Sequence, residues 1–238
     1  LDAAGIRSEA APFGAGLVVD ATRPGELPGY DEGAFFVQDA AQALVARFAD
    51  FPRGAAVLDA CAAPGGKAIA VGRTARILVA AERNRRRAIR LGENLRRAGS
   101  GRELLVIADA AAPPVRPLDG VLLDAPCLGT GTFARHPDAR LRVTPDALRD
   151  LARTQAQLLD GGAAAVRPGG LLVYATCSLE PEENEEQVAR FLAAHPEFRR
   201  EPSRAVPAEC LSEAGDLTLL PHRHGTDGAF TARLRRAS

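Results

Sequence analysis

The chain has no methionine and no tryptophan, and its thirty Lys and Arg residues include a single lysine, Lys67. Net charge is lacking too: thirty basic and thirty acidic residues cancel, which excludes a uniformly basic coat for nucleic acid but not a local patch. No apolar run reaches ~18 residues, so no transmembrane helix is expected. No charged and apolar leader opens the chain, so no signal peptide is expected. The four cysteines, Cys61, Cys127, Cys177 and Cys210, contain no C-x-x-C pair. That argues against a metal site built from paired ligands. A disulfide framework is not expected at this size and density, and a reduced, cytoplasmic compartment is. A chain that starts at Leu1 without methionine reads as part of a longer protein.

What is present is a globular composition of 238 residues, enough for one large domain. Residues 1–50 are mixed in pattern. Gly14 to Asp20 reads as a strand, Pro24 to Gly33 as a loop, and Gln38 to Phe51 as an amphipathic helix. Short apolar runs then alternate with helical stretches. The runs are Ala55–Ala60, Ile77–Ala81, Leu104–Ala108, Val121–Asp124 and Leu171–Ala175. Helices are expected from Gly65–Gly66, over Asn84–Ala98, over Pro145–Val166 (stopped by Pro168-Gly169-Gly170) and over Pro181–Ala194. The tail, Asp216–Leu220 and Ala229–Leu234, reads as a hairpin around a His-Gly-Thr-Asp-Gly turn. The pattern predicts an α/β fold, a mostly parallel Rossmann-like sheet with helices on both faces and a C-terminal antiparallel hairpin.

Ligands of such sheets bind beyond the carboxyl ends of the strands. Each of the five runs ends in an acid or a thiol: Asp59 with Cys61, Glu82, Asp109, Asp124 with Cys127, and Cys177. The loop V-L-D-A-C-A-A-P-G-G-K has the small residues and glycines that let backbone approach a ligand at a helix N-terminus. It lacks the G-x-G-x-x-G spacing of a dinucleotide site. Glu82 can accept from ribose hydroxyls, or simply favour the helix that follows it. Asp109 can accept from an adenine amino group. Each cysteine alone fits a small buried hydrophobe. Two at the ends of neighbouring strands point to a shared cleft.

The set D-A-C-A-A-P-G-G-K, D-A-P-C-x-G-T-G and Y-A-T-C-S-x-x-P-E-E-N-E resembles the RNA cytosine-C5 methyltransferases of the RsmB/Nop/Sun type. G-A-F-F-V-Q-D at 33–39 resembles that family's lead-in, and D-G-A-F-T-A-R-L its closing strand. The resemblance implies the class I S-adenosylmethionine (SAM) methyltransferase fold over residues 51–238, with 1–50 as a lead-in packed on it and an N-terminal RNA-binding domain outside this chain. It implies SAM as cofactor, held by Cys61, Ala62, Ala63, Pro64, Gly65, Gly66, Lys67, Glu82, Asp109 and Asp124. It implies Cys177 as nucleophile and Cys127 as the thiol assisting product release. Cys127 stays the rival nucleophile, because DNA cytosine methyltransferases use the Pro-Cys thiol. Asp124 and Lys67 are implied beside the target base. Leu128, where the family usually has a small residue, and Glu82, where it often has Asp, depart from the pattern without removing a catalytic group.

The implied partner is RNA, small-subunit ribosomal RNA in preference to transfer RNA; no membrane, metal or second copy is expected. A catalytically silent RNA-binding or ribosome-assembly factor is the alternative of another class, disfavoured because both thiols are kept. The D-A-P-C loop disfavours an amino-directed methyltransferase. Arg135 and His136, after the Cys127 loop, are candidate RNA contacts. The arginines from Arg83 to Arg97 read as a solvated helix face, and the acids Glu182, Glu183, Glu185 and Glu186 as charge that favours a helix N-terminus and repels phosphate.

Overall fold

A computed structural model of the chain describes residues 1, 4–20 and 23–238. Its centre is a sheet in the order β5-β4-β3-β6-β7-β10-β8, with β9 paired to β10. The parallel part comprises β3 (Ala56–Asp59), β4 (Ile77–Ala81), β5 (Glu103–Val106), β6 (Leu118–Asp124) and β7 (Val166–Thr176). β8 (Phe198–Arg200), β9 (Leu217–Leu219) and β10 (Ala229–Arg236) add the antiparallel edge. A separate hairpin of β1 (Ser8–Ala10) and β2 (Leu17–Val19) precedes the sheet.

Side-chain alternation explains why both sheet faces are covered. Val121 and Leu123 of β6, with Leu172 and Tyr174 of β7, join one buried cluster. Leu122, Leu171 and Val173 join another on the opposite face. The first is closed by α4 (Pro145–Ala164) and α5 (Glu185–Ala194) through Leu158, Leu159, Val188 and Phe191. The second is closed by α2 (Gly66–Gly72) and α3 (Arg85–Ala98) through Ala68, Val71 and Leu91. A third cluster joins Leu44, Val45 and Phe48 of α1 (Ala40–Ala49) to Leu217 and Leu219 of β9. No helix among the described residues is long and apolar enough to cross a membrane.

Capping explains the helix starts. Asp39 accepts from the Ala41 amide, Asn84 from those of Arg86 and Arg87, and Thr144 from that of Ala147. Other boundaries differ from the sequence pattern. Val166 belongs to β7 and pairs with Leu118, while the next pairing is Gly120 with Leu171. Residues 167–170 therefore bulge out, because Pro168 has no amide for the ladder. The helix expected over Pro181–Ala194 divides into a 3-10 turn, Pro181–Glu183, and α5. The tail strands do pair, Ala229 with Leu219, but a helical turn, α6 (Pro221–His224), lies between them and β10's longer partner is β7. β8 has no counterpart in the pattern; three residues are too few to show periodicity.

Two glycines of α4 give a test of this packing. A Cβ on Gly161 would lie 2.4 Å from the Ala110 carbonyl oxygen and 2.5 Å from that of Ala111. On Gly162 it would meet only side chains, the nearer being Leu172 at 3.1 Å. Helix propensity alone favours alanine over glycine by about 1 kcal/mol. Gly161→Ala is expected to destabilise by ~1–3 kcal/mol through overpacking against backbone. Gly162→Ala is expected to stay close to the parent protein. Thermal melts of the two variants check the contrast, at roughly 2–4 °C per kcal/mol for a chain of this size.

Candidate active site

The strand order lays the candidate groups along one edge. Asp109 follows β5, Glu82 follows β4, Asp59 and Cys61 end β3, Asp124 and Cys127 end β6, and Cys177 follows β7. All seven line one cavity of about 720 Å³. It opens where the chain turns from β3 to opposite sides of the sheet, the position at which such folds take ligands.

The wall over β3 is the loop to α2. Ala62, Ala63, Pro64, Gly66 and Lys67 all line the cavity. Gly65 instead makes the turn, at φ +118. A Cβ on Gly66 would fall 2.9 Å from the Phe36 ring and 2.8 Å from the Gln38 amide oxygen, so the lead-in closes on this loop. Lys67 donates to Asp124 at 2.7 Å and also to Gln42 of α1.

The cavity has an acidic side with unused acceptors. Asp59 is buried, and neither carboxylate oxygen has a hydrogen-bond partner among the described residues. Burial, followed by the charge of Asp124, pushes its pKa up to about 7. Glu82 accepts from the Asn84 amide through Oε1, while its buried Oε2 has no hydrogen bond and lies 3.5 Å from Arg87. Burial and the charge of Asp59 push the Cys61 thiol up to about 12, which makes it a wall residue rather than a nucleophile. Asp109 accepts from the Ala111 amide and lies 3.4 Å from Arg83.

At the other side the two remaining cavity thiols meet, with Cys127 Sγ and Cys177 Sγ 3.4 Å apart. The thiol–thiol hydrogen bond holds the Cys177 pKa down, and the Lys67 ammonium acts in the same direction. That hydrogen bond, then burial, holds Cys127 well above the ordinary thiol range, with Glu183 adding its negative charge. The asymmetry favours a Cys177 thiolate receiving a hydrogen bond from a neutral Cys127. Arg135, a further cavity residue, is paired with Asp227 and lies 3.8 Å from Asp39. His136 is exposed and outside the lining.

Two charge runs do more than the sequence pattern shows. Glu183, besides standing at a helix start, is buried and accepts from the Leu128 amide at 3.2 Å and from Gln155 at 2.7 Å. Among the arginines, Arg87 donates to the Ala63 carbonyl at 2.8 Å, and Arg97 donates to the Tyr30 and Phe35 carbonyls. Sequence reasoning also passed over Gln42, Asp39 and Asp227, which border the cavity. Asp39 ends the lead-in motif and Asp227 opens the closing-strand motif, which was the signal available for them; Gln42 lies in neither and reaches the cavity only through tertiary packing. Asp59 did carry a signal, its place at the end of β3.

Together, the sheet order and its carboxyl-edge cavity give the fold of the SAM-dependent methyltransferases. The chain belongs to the 16S rRNA methyltransferase RsmB/F family, which it matches over residues 50–235. It is 39% identical over 223 residues to the probable ribosomal RNA small subunit methyltransferase B of Synechocystis sp., a match covering 89% of this chain and 50% of that protein. The chain spans about half the length of the curated relatives it matches. The crystal structure of PH0851 superposes with a TM-score of 0.91 at 31% identity, covering 99% of this chain and 55% of that one. NSun6 from Pyrococcus horikoshii, solved with SFG, a SAM analogue, gives a TM-score of 0.81 at 28% identity, covering 94% of this chain and 60% of that one.

SAM is the cofactor of the family, and the residues lining the cavity fit it. It is a cation at its sulfonium and ammonium groups, and the cavity offers it the unpartnered oxygens of Asp59 and Glu82.

The Asp59 carboxyl also yields a pH test. Its folded pKa, about 7, lies above the ordinary aspartate value of 3.8, so the folded state holds the proton more tightly. Its contribution to stability is therefore present at acid pH and lost as pH rises through about 7. Asp59→Asn has no such loss. The difference in melting temperature, variant minus parent, is expected to grow from pH 5 to pH 8 in cofactor-free protein. A pH-independent difference would contradict the assignment.

Proposed function

We propose that this chain is the catalytic part of a SAM-dependent RNA cytosine-C5 methyltransferase. The observation that carries the reading is the pair of thiols 3.4 Å apart beside the Lys67–Asp124 ion pair. The names of the curated relatives support small-subunit ribosomal RNA as the substrate. Residues 51–238 form the methyltransferase domain and 1–50 its lead-in. The protein works as a monomer in the cytoplasm, with Arg135 and His136 on the path of the RNA.

C5 of cytosine is a weak nucleophile. Addition of the Cys177 thiolate to C6 makes the ring enamine-like, so that C5 can take a methyl group. SAM, when bound, supplies that group in electrophilic form. Asp124 and Lys67 sit where a proton or hydrogen bond at the base's N3 and carbonyl eases the thiolate addition. A compact ammonium serves there as a broad guanidinium does not.

After methylation C5 loses its proton, and the Cys177–C6 bond breaks to return the thiolate. Cys127 assists this elimination. In the adduct Cys177 is a thioether and no longer holds the Cys127 proton, so the main cause of the raised Cys127 pKa is gone. Cys127 then gives its own proton to solvent more readily, and the thiolate so formed can accept the C5 proton. The target base must leave its stack to reach this cavity, which suits single-stranded or flipped RNA.

Three variants test the reading, with labelled methyl transfer from SAM onto unmodified small-subunit RNA as the assay. Cys177→Ala is expected to abolish transfer, and unchanged turnover would sink the proposal. Cys127→Ala is expected to accumulate a SAM-dependent covalent protein–RNA adduct, visible as a shifted band on a denaturing gel. Lys67→Arg is expected to lose activity roughly a hundredfold, the scale of one preorganised electrostatic partner. Near-normal activity would leave Lys67 without a catalytic role.

A further inference from the structure

The loop carrying Cys127 is gripped from behind on both sides of the cysteine. The Pro126 carbonyl, on the N-terminal side, accepts from Gln155 Nε2 at 2.9 Å. The Leu128 amide, on the C-terminal side, donates to both carboxylate oxygens of Glu183 at 3.2 Å. The two gripping side chains also bond each other, Gln155 Nε2 to Glu183 Oε1 at 2.7 Å. Gln187 of α5 donates to Gln155 Oε1 at 3.3 Å and to the Ala152 carbonyl. Gln155, Glu183 and Gln187 are all buried, so water cannot stand in for a lost partner. The Tyr174 hydroxyl donates to the Glu183 backbone carbonyl at 2.6 Å and makes no hydrogen bond with the side chains that grip the loop.

Burying a carboxylate is costly, and a loop can be held by cheaper means. Here the carboxylate and its glutamine hold the peptide groups flanking one reactive sulfur. We infer that Glu183 and Gln155 form a clamp that positions the Cys127 sulfur against Cys177, and that through it they govern the release step. The first half of this stands on geometry alone. The second rests on the proposed role of Cys127 in release. Glu183 and Gln155 are positioning residues, since neither lines the cavity.

The test reads position and release separately. With diamide as oxidant, each thiol loses its proton, a Cys127–Cys177 disulfide forms, and diamide is reduced to the hydrazine. The rate of that closure reports how well the two sulfurs are held together, with no RNA present. Glu183→Ala and Gln155→Ala are each expected to slow closure by about tenfold or more, as a displaced reacting group does. Glu183→Gln is expected to restore it, because one amide oxygen at the Oε1 position can accept from both the Leu128 amide and Gln155. Tyr174→Phe removes a buried hydrogen bond from the same turn but not the clamp. It is expected to lower the melting temperature and leave closure unchanged.

In the RNA assay, Glu183→Ala is expected to retain adduct as Cys127→Ala does, and Glu183→Gln to release it. Closure at the parental rate in Glu183→Ala would overturn the clamp. Slowed closure in Tyr174→Phe equal to that in Glu183→Ala would also overturn it, by showing only general loosening. Slowed closure without adduct in either Glu183→Ala or Cys127→Ala would support the clamp and overturn the release role.

Discussion

The site depends on the register of three parallel strands. Asp59 of β3 stands opposite Leu122 of β6, and Asp124 of β6 opposite Ala175 of β7. These pairings bring the acid of one strand end beside the lysine loop of the next, and two thiols 50 residues apart in sequence within hydrogen-bonding distance. A shift of one residue would exchange each strand's two buried faces and mismatch both helix layers, so the packing on both faces fixes the register and the register fixes the chemistry. The bulge at 167–170 matters for the same reason. It absorbs the extra residues before Leu171 and lets the end of β7 arrive level with the end of β6.

Electrostatics divides the edge into two halves. Over β3 and β4 the cavity presents acids with unfilled acceptors, which suit a cationic cofactor. Over β6 and β7 it presents thiols with a lysine nearby, which suit formation of a thiolate. Lys67 belongs to both halves: it ends the cofactor loop in sequence and lies against Asp124 in space. The ammonium is held between Gln42 and Asp124, with little of its side chain exposed.

Much of this was legible in the sequence, because strand ends carry the chemistry and strands announce themselves by apolar runs. Asp109, Glu82, Asp124, Cys127 and Cys177 all follow from that rule, and the long ordered motifs led to the family. What was not legible came from tertiary burial. Glu183 looks like any acid at the start of a helix, and only packing against α4 shows that it holds a loop. Arg87 and Arg97 look like solvated charges, yet they donate to backbone carbonyls of the cofactor loop and the lead-in. Arg135 was read as a cation open to phosphate, and the structure gives it a carboxylate of its own.

The partner of Arg135 ties together distant parts of the sequence. Asp39 caps α1 and accepts from the Asp227 amide across 188 residues of sequence, while Asp227 holds Arg135 at the cavity wall. A contact of such separation closes a long loop and forms late. During synthesis the acids and both thiols emerge well before Asp227, so the parallel sheet can take shape first. The arginine beside the thiols is pinned only when nearly the whole of this sequence has been made, so that assembly of the sheet precedes completion of the reactive end of its cavity.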